Sequence, residues 1–154
     1  MPLLSAGLLV YRKTKTYTEV LLIHPGGPFF AKKDLGVWSV PKGIYEAEEH
    51  PLEAAKREFE EETGNKIEAG DFFPLQPVKS KGGKVLQVWA VEADFEKAFL
   101  QSNLFELEWP PRSGRAQYFP EADKAEWFSL SEAREKILSY QIPLLDELEE
   151  ILKR

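Results

Sequence analysis

The chain has 154 residues, 43% hydrophobic, 30% charged and 12% aromatic, with a formal net charge of −6 and no cysteine. That length suits one compact domain, 1–154, with its own core, and the composition excludes the disordered and fibrous classes. The lack of cysteine excludes disulfides, thiol nucleophiles and thiolate metal sites and agrees with a cytoplasmic setting, while the acidic balance works against non-specific nucleic-acid binding.

Met1 to Val10 is apolar, but no basic segment precedes it and no small-residue cleavage site follows. It is too short to span a bilayer, so it reads as a first strand with no membrane role. Ser5 to Arg12 and Thr18 to His24 are β-rich runs separated by the polar stretch Lys13 to Thr16, the pattern of a hairpin. After the break at Pro25-Gly26-Gly27-Pro28, Val37 to Val40 reads as a short strand ended by Pro41. Pro51 suits a first helical turn and Gly64 the left-handed position after the last one, so a helix is expected between them. Further strands are expected at Val85 to Val91 and Ala125 to Leu130, and helices at Ser131 to Tyr140 and Pro143 to Lys153. The alternation of strand and helix signals argues for an α/β arrangement.

The first helix carries the chemistry. At 100° per residue, Leu52, Ala55 and Phe59 form an apolar stripe. Glu58, Glu61 and Glu62 fall together on the adjoining arc, at the edge of the buried face, while Glu53, Lys56 and Glu60 point away. Like charges four residues apart, such as Glu58 and Glu62, oppose helix formation, and more strongly where water is excluded. A hard cation would offset that repulsion, because Mg²⁺ takes oxygen ligands and is commonly shared between carboxylates and phosphates. Arg57 can brace Glu61 one turn on, or Glu53 on the other side. A solvated acidic face is the bland alternative.

The spacing Gly43, five residues, Glu49, seven residues, Arg57-Glu58-Phe59-Glu60-Glu61-Glu62-Thr63-Gly64 resembles the box of the Nudix hydrolase family at every fixed position. One departure stands at the end, where Asn65 replaces a bulky apolar residue. The resemblance implies an α/β/α sandwich with a mixed sheet and a pyrophosphohydrolase using Mg²⁺, with Mn²⁺ as a substitute. In that reaction a metal-activated water attacks phosphorus in a diphosphate linkage. Carried over by residue, it makes Glu61 and Glu62 metal ligands and Glu58 a ligand or general base. Glu49 becomes a further ligand or an outer group, Arg57 an orienting residue, and Lys42 a ligand through its carbonyl. A late acidic ligand is also implied, for which Glu121 is the first candidate and Asp123 and Glu126 are rivals. His24 and His50 read as structural or surface residues.

Trp38-Ser39-Val40-Pro41-Lys42-Gly43 resembles the box entry of dinucleoside polyphosphate and diphosphoinositol hydrolases. Diadenosine tetraphosphate is therefore the expected kind of substrate, with nucleoside triphosphates, ADP-ribose or diphosphoinositols as alternatives. A non-catalytic nucleotide-binding module is the reading from another class. Trp38, Lys42, Arg112 and Arg115 are the expected substrate contacts, the arginines within the loop Trp109-Pro110-Pro111-Arg112-Ser113-Gly114-Arg115. Of the remaining basic clusters, Lys79 with Lys81 and Lys84 reads as a surface loop.

Overall fold

The computed structural model describes residues 3–154. Strand β1 (Leu4–Lys13) lies at the centre of the sheet, which explains its near-continuous apolar run: both of its faces are covered. It pairs antiparallel with β2 (Thr18–Pro25) and with β3 (Lys42–Ile44). On its other edge it pairs parallel with β6 (Val85–Glu92), Leu4 opposite Val85 through Tyr11 opposite Glu92. The two-residue strands β4 (Phe73–Pro74) and β5 (Val78–Lys79) flank β6, and β9 (Ala122–Ser129) flanks β2. The sheet is therefore mixed. A separate hairpin, β7 (Leu104–Glu108) with β8 (Ala116–Pro120), leads into β9.

Helix α1 (Pro51–Thr63) covers one face of the sheet, where Ala54, Ala55 and Phe59 meet Leu8, Val10 and Leu21. Helices α2 (Leu130–Lys136) and α3 (Ile142–Leu152) cover the other, where Ala133, Leu144 and Leu148 meet Leu9, Val20 and Val88. The result is the expected α/β/α sandwich. Among the described residues, no helix is long and apolar enough to cross a membrane.

Two expected elements differ. Val37 to Val40 makes only isolated bridges, Ser39 to Ile23 and Trp38 to Ile137, and the regular strand starts after Pro41. The expected helix Ser131 to Tyr140 is shorter and shifted. It is capped by Ser129, whose Oγ accepts from the Glu132 N–H, and it ends at Lys136. Trp38 causes both departures. Its N–H donates to the Lys136 carbonyl and its carbonyl accepts from the Leu138 N–H, drawing Ile137 and Leu138 out of helix.

Candidate metal centre

Helix α1 presents its acids where the sequence periodicity places them because both ends are fixed. The His50 Nδ1 accepts from the Leu52 N–H, and Gly64, at φ 82°, returns its N–H to the Glu60 carbonyl. His50 is thus a cap. Glu62 lies beside the apolar stripe and is only 9% exposed. Its Oε2 accepts from the Lys42 N–H at 2.7 Å, tying α1 to the first residue of β3. Burial, opposed by Lys42 and assisted by the charges of Glu58 and Glu121, pushes the Glu62 carboxyl up to about 8.

Glu58 projects against the backbone of Gly43, where a Cβ would overlap its carboxylate. The glycine of the motif is therefore a space requirement. Gly43→Ala is expected to displace Glu58 and cut turnover by about tenfold or more, with the melting temperature nearly unchanged. Steady-state rates beside thermal melts check this, and full activity in that variant would show that Glu58 need not sit there. Burial raises the pKa of Glu58 and its bond to Arg57 opposes the rise.

Arg57 is the hub of the acidic cluster. Its Nε and Nη2 donate to the two carboxylate oxygens of Glu49 at 2.9 and 3.0 Å, and its Nη1 donates to Glu58 at 2.8 Å and to Glu61 at 3.1 Å. Glu49 is held below its ordinary pKa by that pairing. Glu53, the alternative brace, faces Lys56 instead.

A cleft of about 430 Å³ is lined by Glu58, Glu61, Glu62 and Glu121 together with Lys42 and Lys84. Glu121 sits at the junction of β8 and β9. Its N–H donates to the Asn103 carbonyl at 2.7 Å and its carbonyl accepts from the Gly26 N–H at 3.0 Å. Of the three late acids, it is the one that lines the cleft. Asp123 is engaged by the Nδ1 of buried His24 at 2.9 Å, and Glu126 pairs across from Leu22. Glu49 stands behind Arg57, outside the cleft.

Among the described residues, no three acidic or histidine side chains converge on one point. Glu58 and Glu61 turn toward Arg57, and Glu62 toward the Lys42 N–H. Four carboxylates along one cleft nevertheless form the hard-oxygen donor set that a divalent cation of the magnesium class prefers. Glu58 reaches the cleft packed against Gly43.

The structure places three expected substrate contacts away from the cleft. Trp38 is 1% exposed; its Nε1 donates to Asp34 at 2.8 Å and its ring packs edge-on against Phe128 and His24. It is core and offers no surface to a ligand. Arg112 and Arg115 are exposed on the tip between β7 and β8 and do not line the cleft. Trp109, in the same loop, packs against Phe29. Among the cleft-lining residues that carry no site expectation from sequence are Lys84, the residue before β6, and Asn103.

A family model described as the NUDIX domain matches residues 1–148. Similar solved structures include a binary complex of the C. elegans Ap4A hydrolase, 24% identical with 98% of each chain covered and a TM-score of 0.67. Another is the NUDIX domain of Shewanella oneidensis NrtR complexed with ADP ribose. It is 16% identical, with 99% of this chain and 89% of that one covered and a TM-score of 0.68. A mutT/nudix family protein from Listeria innocua is 17% identical over 99% and 96%, with a TM-score of 0.66. No curated protein matches the chain significantly by sequence.

Proposed function

The chain belongs to the Nudix family and is a pyrophosphohydrolase, and from that premise we propose that it cleaves dinucleoside polyphosphates such as diadenosine tetraphosphate, with Mg²⁺ as its ion. The observation that carries the substrate reading is a run of lysines beside the acid cleft. Lys42 and Lys84 line the cleft, and a contiguous groove of about 620 Å³ shares both and adds Lys79. In a protein of net charge −6, three lysines along one path favour a long phosphate chain. The fold itself is shared with a protein named as an Ap4A hydrolase. A chain without cysteine loses nothing in the cytoplasm, where we place its action.

In this reading Glu61, Glu62, Glu121 and the Lys42 carbonyl would hold the cation, with Glu58 as a further ligand or as the general base. A cation held there would lower the pKa of the attacking water and neutralise charge on the phosphates. As the base, Glu58 would accept the proton, its basicity raised by burial. Arg57 aims Glu58 and Glu61, and Glu49 holds Arg57 from behind. Lys42 and Lys84 position the phosphate chain across the scissile linkage.

Phosphorus NMR of Mg²⁺ reactions with diadenosine polyphosphates, nucleoside triphosphates, ADP-ribose and diphosphoinositols tests the substrate. The dinucleoside polyphosphates are expected to turn over fastest, and exclusive turnover of another class would overturn the proposal. Lys84→Ala is expected to raise KM for diadenosine tetraphosphate by about tenfold, the scale of one charged hydrogen bond. An unchanged KM would remove Lys84 from the phosphate path. Binding without turnover of any substrate would instead make the protein a nucleotide-binding module.

A further inference from the structure

Asn65 stands where the family pattern carries a bulky apolar residue, immediately after the glycine that ends α1. Its side chain does what an apolar one cannot. The Nδ2 donates to the Lys97 carbonyl at 2.9 Å and to the Ala98 carbonyl at 3.1 Å, using both of its hydrogens on one short stretch of chain. That stretch belongs to residues 93–103, which run without helix or strand from the end of β6 to the start of β7.

Residues 93–103 form a strap across the last turn of α1. The Leu100 and Gln101 N–H groups donate to the Thr63 carbonyl at 2.7 and 3.3 Å, and the Asn103 N–H donates to the Glu61 carbonyl at 2.9 Å. Carbonyls at the helix end, which have no partner within the helix, are thus satisfied by the strap. The approach is close, since a Cβ on Gly64 would lie 2.8 Å from the Leu100 Cβ and 2.9 Å from the Gln101 nitrogen. Phe95, Ala98 and Phe99 pack on the α1 side of the core.

The far end of the strap holds the late acid. The Asn103 carbonyl accepts from the Glu121 N–H at 2.7 Å, and the Ser102 Oγ accepts from the Ala122 N–H at 3.0 Å. Asn103 therefore joins Glu61 to Glu121 through a single residue, its N–H on one and its carbonyl on the other. Both acids line the cleft, although they come from distant parts of the chain.

We propose that Asn65 is a positioning residue: by latching the strap it sets the separation of Glu61 and Glu121, and so the affinity of the cleft for a divalent cation. The inference rests on the reading of those two acids as cation ligands. Mg²⁺ demands oxygens at about 2.0–2.1 Å in near-octahedral geometry, so a small displacement of either carboxylate lowers affinity. An apolar side chain at position 65 would give the strap a packing contact but neither of the two bonds that hold it.

Calorimetric titration with Mg²⁺ in the absence of substrate tests the latch without turnover. Asn65→Asp, which keeps the shape and replaces the donor with an acceptor, is expected to weaken Mg²⁺ by about tenfold, the low end for groups that orient a metal ligand. Asn65→Leu, which adds no charge, should act in the same direction, as should Ser102→Ala, which loosens the strap at its other end. Hydrogen exchange at the Leu100 and Asn103 amides should quicken in Asn65→Asp. The decisive arm is Glu121→Gln. On that background Asn65→Asp should lower affinity by less than about twofold, because the ligand it positions is already gone. A merely structural role would multiply the two losses, and that result would overturn the proposal. So would unchanged Mg²⁺ affinity in Asn65→Asp while Glu121→Gln alone loses it, an outcome that leaves the cation reading in place. Unchanged affinity in Glu121→Gln itself would remove Glu121 from the cation reading and the proposal with it.

Discussion

Glu62→Gln is expected to lower turnover by about a thousandfold or more while raising the melting temperature of the metal-free protein. The two effects have one cause. Glu62 is buried with its pKa pushed up to about 8, so its ionised form, the form a cation needs, is the form the fold resists. Between its ordinary pKa of 4.5 and the folded value, the native state holds a proton that the unfolded chain has released. Stability of the metal-free protein therefore falls as pH rises through that window, is lowest above about 8, and carries no such penalty below 4.5. A difference of that size corresponds to a few kcal/mol. Gln removes the titration and keeps an oxygen for the Lys42 N–H, so the bond between α1 and β3 survives. Glu62→Ala would orphan that N–H at a cost of about 1–3 kcal/mol and should melt below the Gln variant. Thermal melts in chelator from pH 5 to 8.5, beside steady-state rates with Mg²⁺, provide the check. The slope with pH should flatten in Glu62→Gln, and added Mg²⁺ should raise the melting temperature of the unaltered protein more than that of the variant. Unchanged turnover would refute a metal role for Glu62, and a lower metal-free melting temperature would refute the burial penalty.

The burial of Glu62 was legible in sequence because helix periodicity is local. Its angle on α1 falls beside Ala55, so a helix bounded by Pro51 and Gly64 puts it at the margin of the core wherever the helix docks. The hairpin of β1 and β2 was legible for the same reason. What failed depended on distant partners. Trp38 stands four residues before Lys42, and its position near the box suggested an entrance, yet the chain between β2 and β3 also has to cover the α2–α3 face of the sheet, and the indole goes there. Its backbone pairing with Lys136 and Leu138 then shortens α2, which propensity alone could not show. The β7–β8 hairpin escaped detection because much of both strands is exposed, leaving little burial contrast for alternation to report. Lys84 reaches the cleft from the residue before β6, and no local pattern marks it.

Arg57→Ala is expected to weaken Mg²⁺ binding and lower turnover by roughly 10–100-fold, although Arg57 lies behind the cleft and touches neither ion nor substrate in the proposed reaction. Its guanidinium holds Glu49 with two donors and spends a third nitrogen on Glu58 and Glu61. Without it, three carboxylates lose their common counter-charge and the two that face the cleft lose their aim. Arg57→Lys should recover little, since one ammonium cannot reproduce a planar fork across three acids. A merely structural role would also lower activity, so the pH profile separates the two. The bond from Arg57 opposes the burial-driven rise in the pKa of Glu58. Removing it lets that pKa climb further, and a step that needs Glu58 ionised should then lose its acidic limb at higher pH than in the unaltered enzyme. A profile of kcat/KM that drops uniformly, with its acidic limb in place, would mean that Arg57 only stabilises the fold. A limb displaced upward, with Mg²⁺ affinity reduced in parallel, would mean that the motif arginine sets both the direction and the basicity of the carboxylate one residue along the helix.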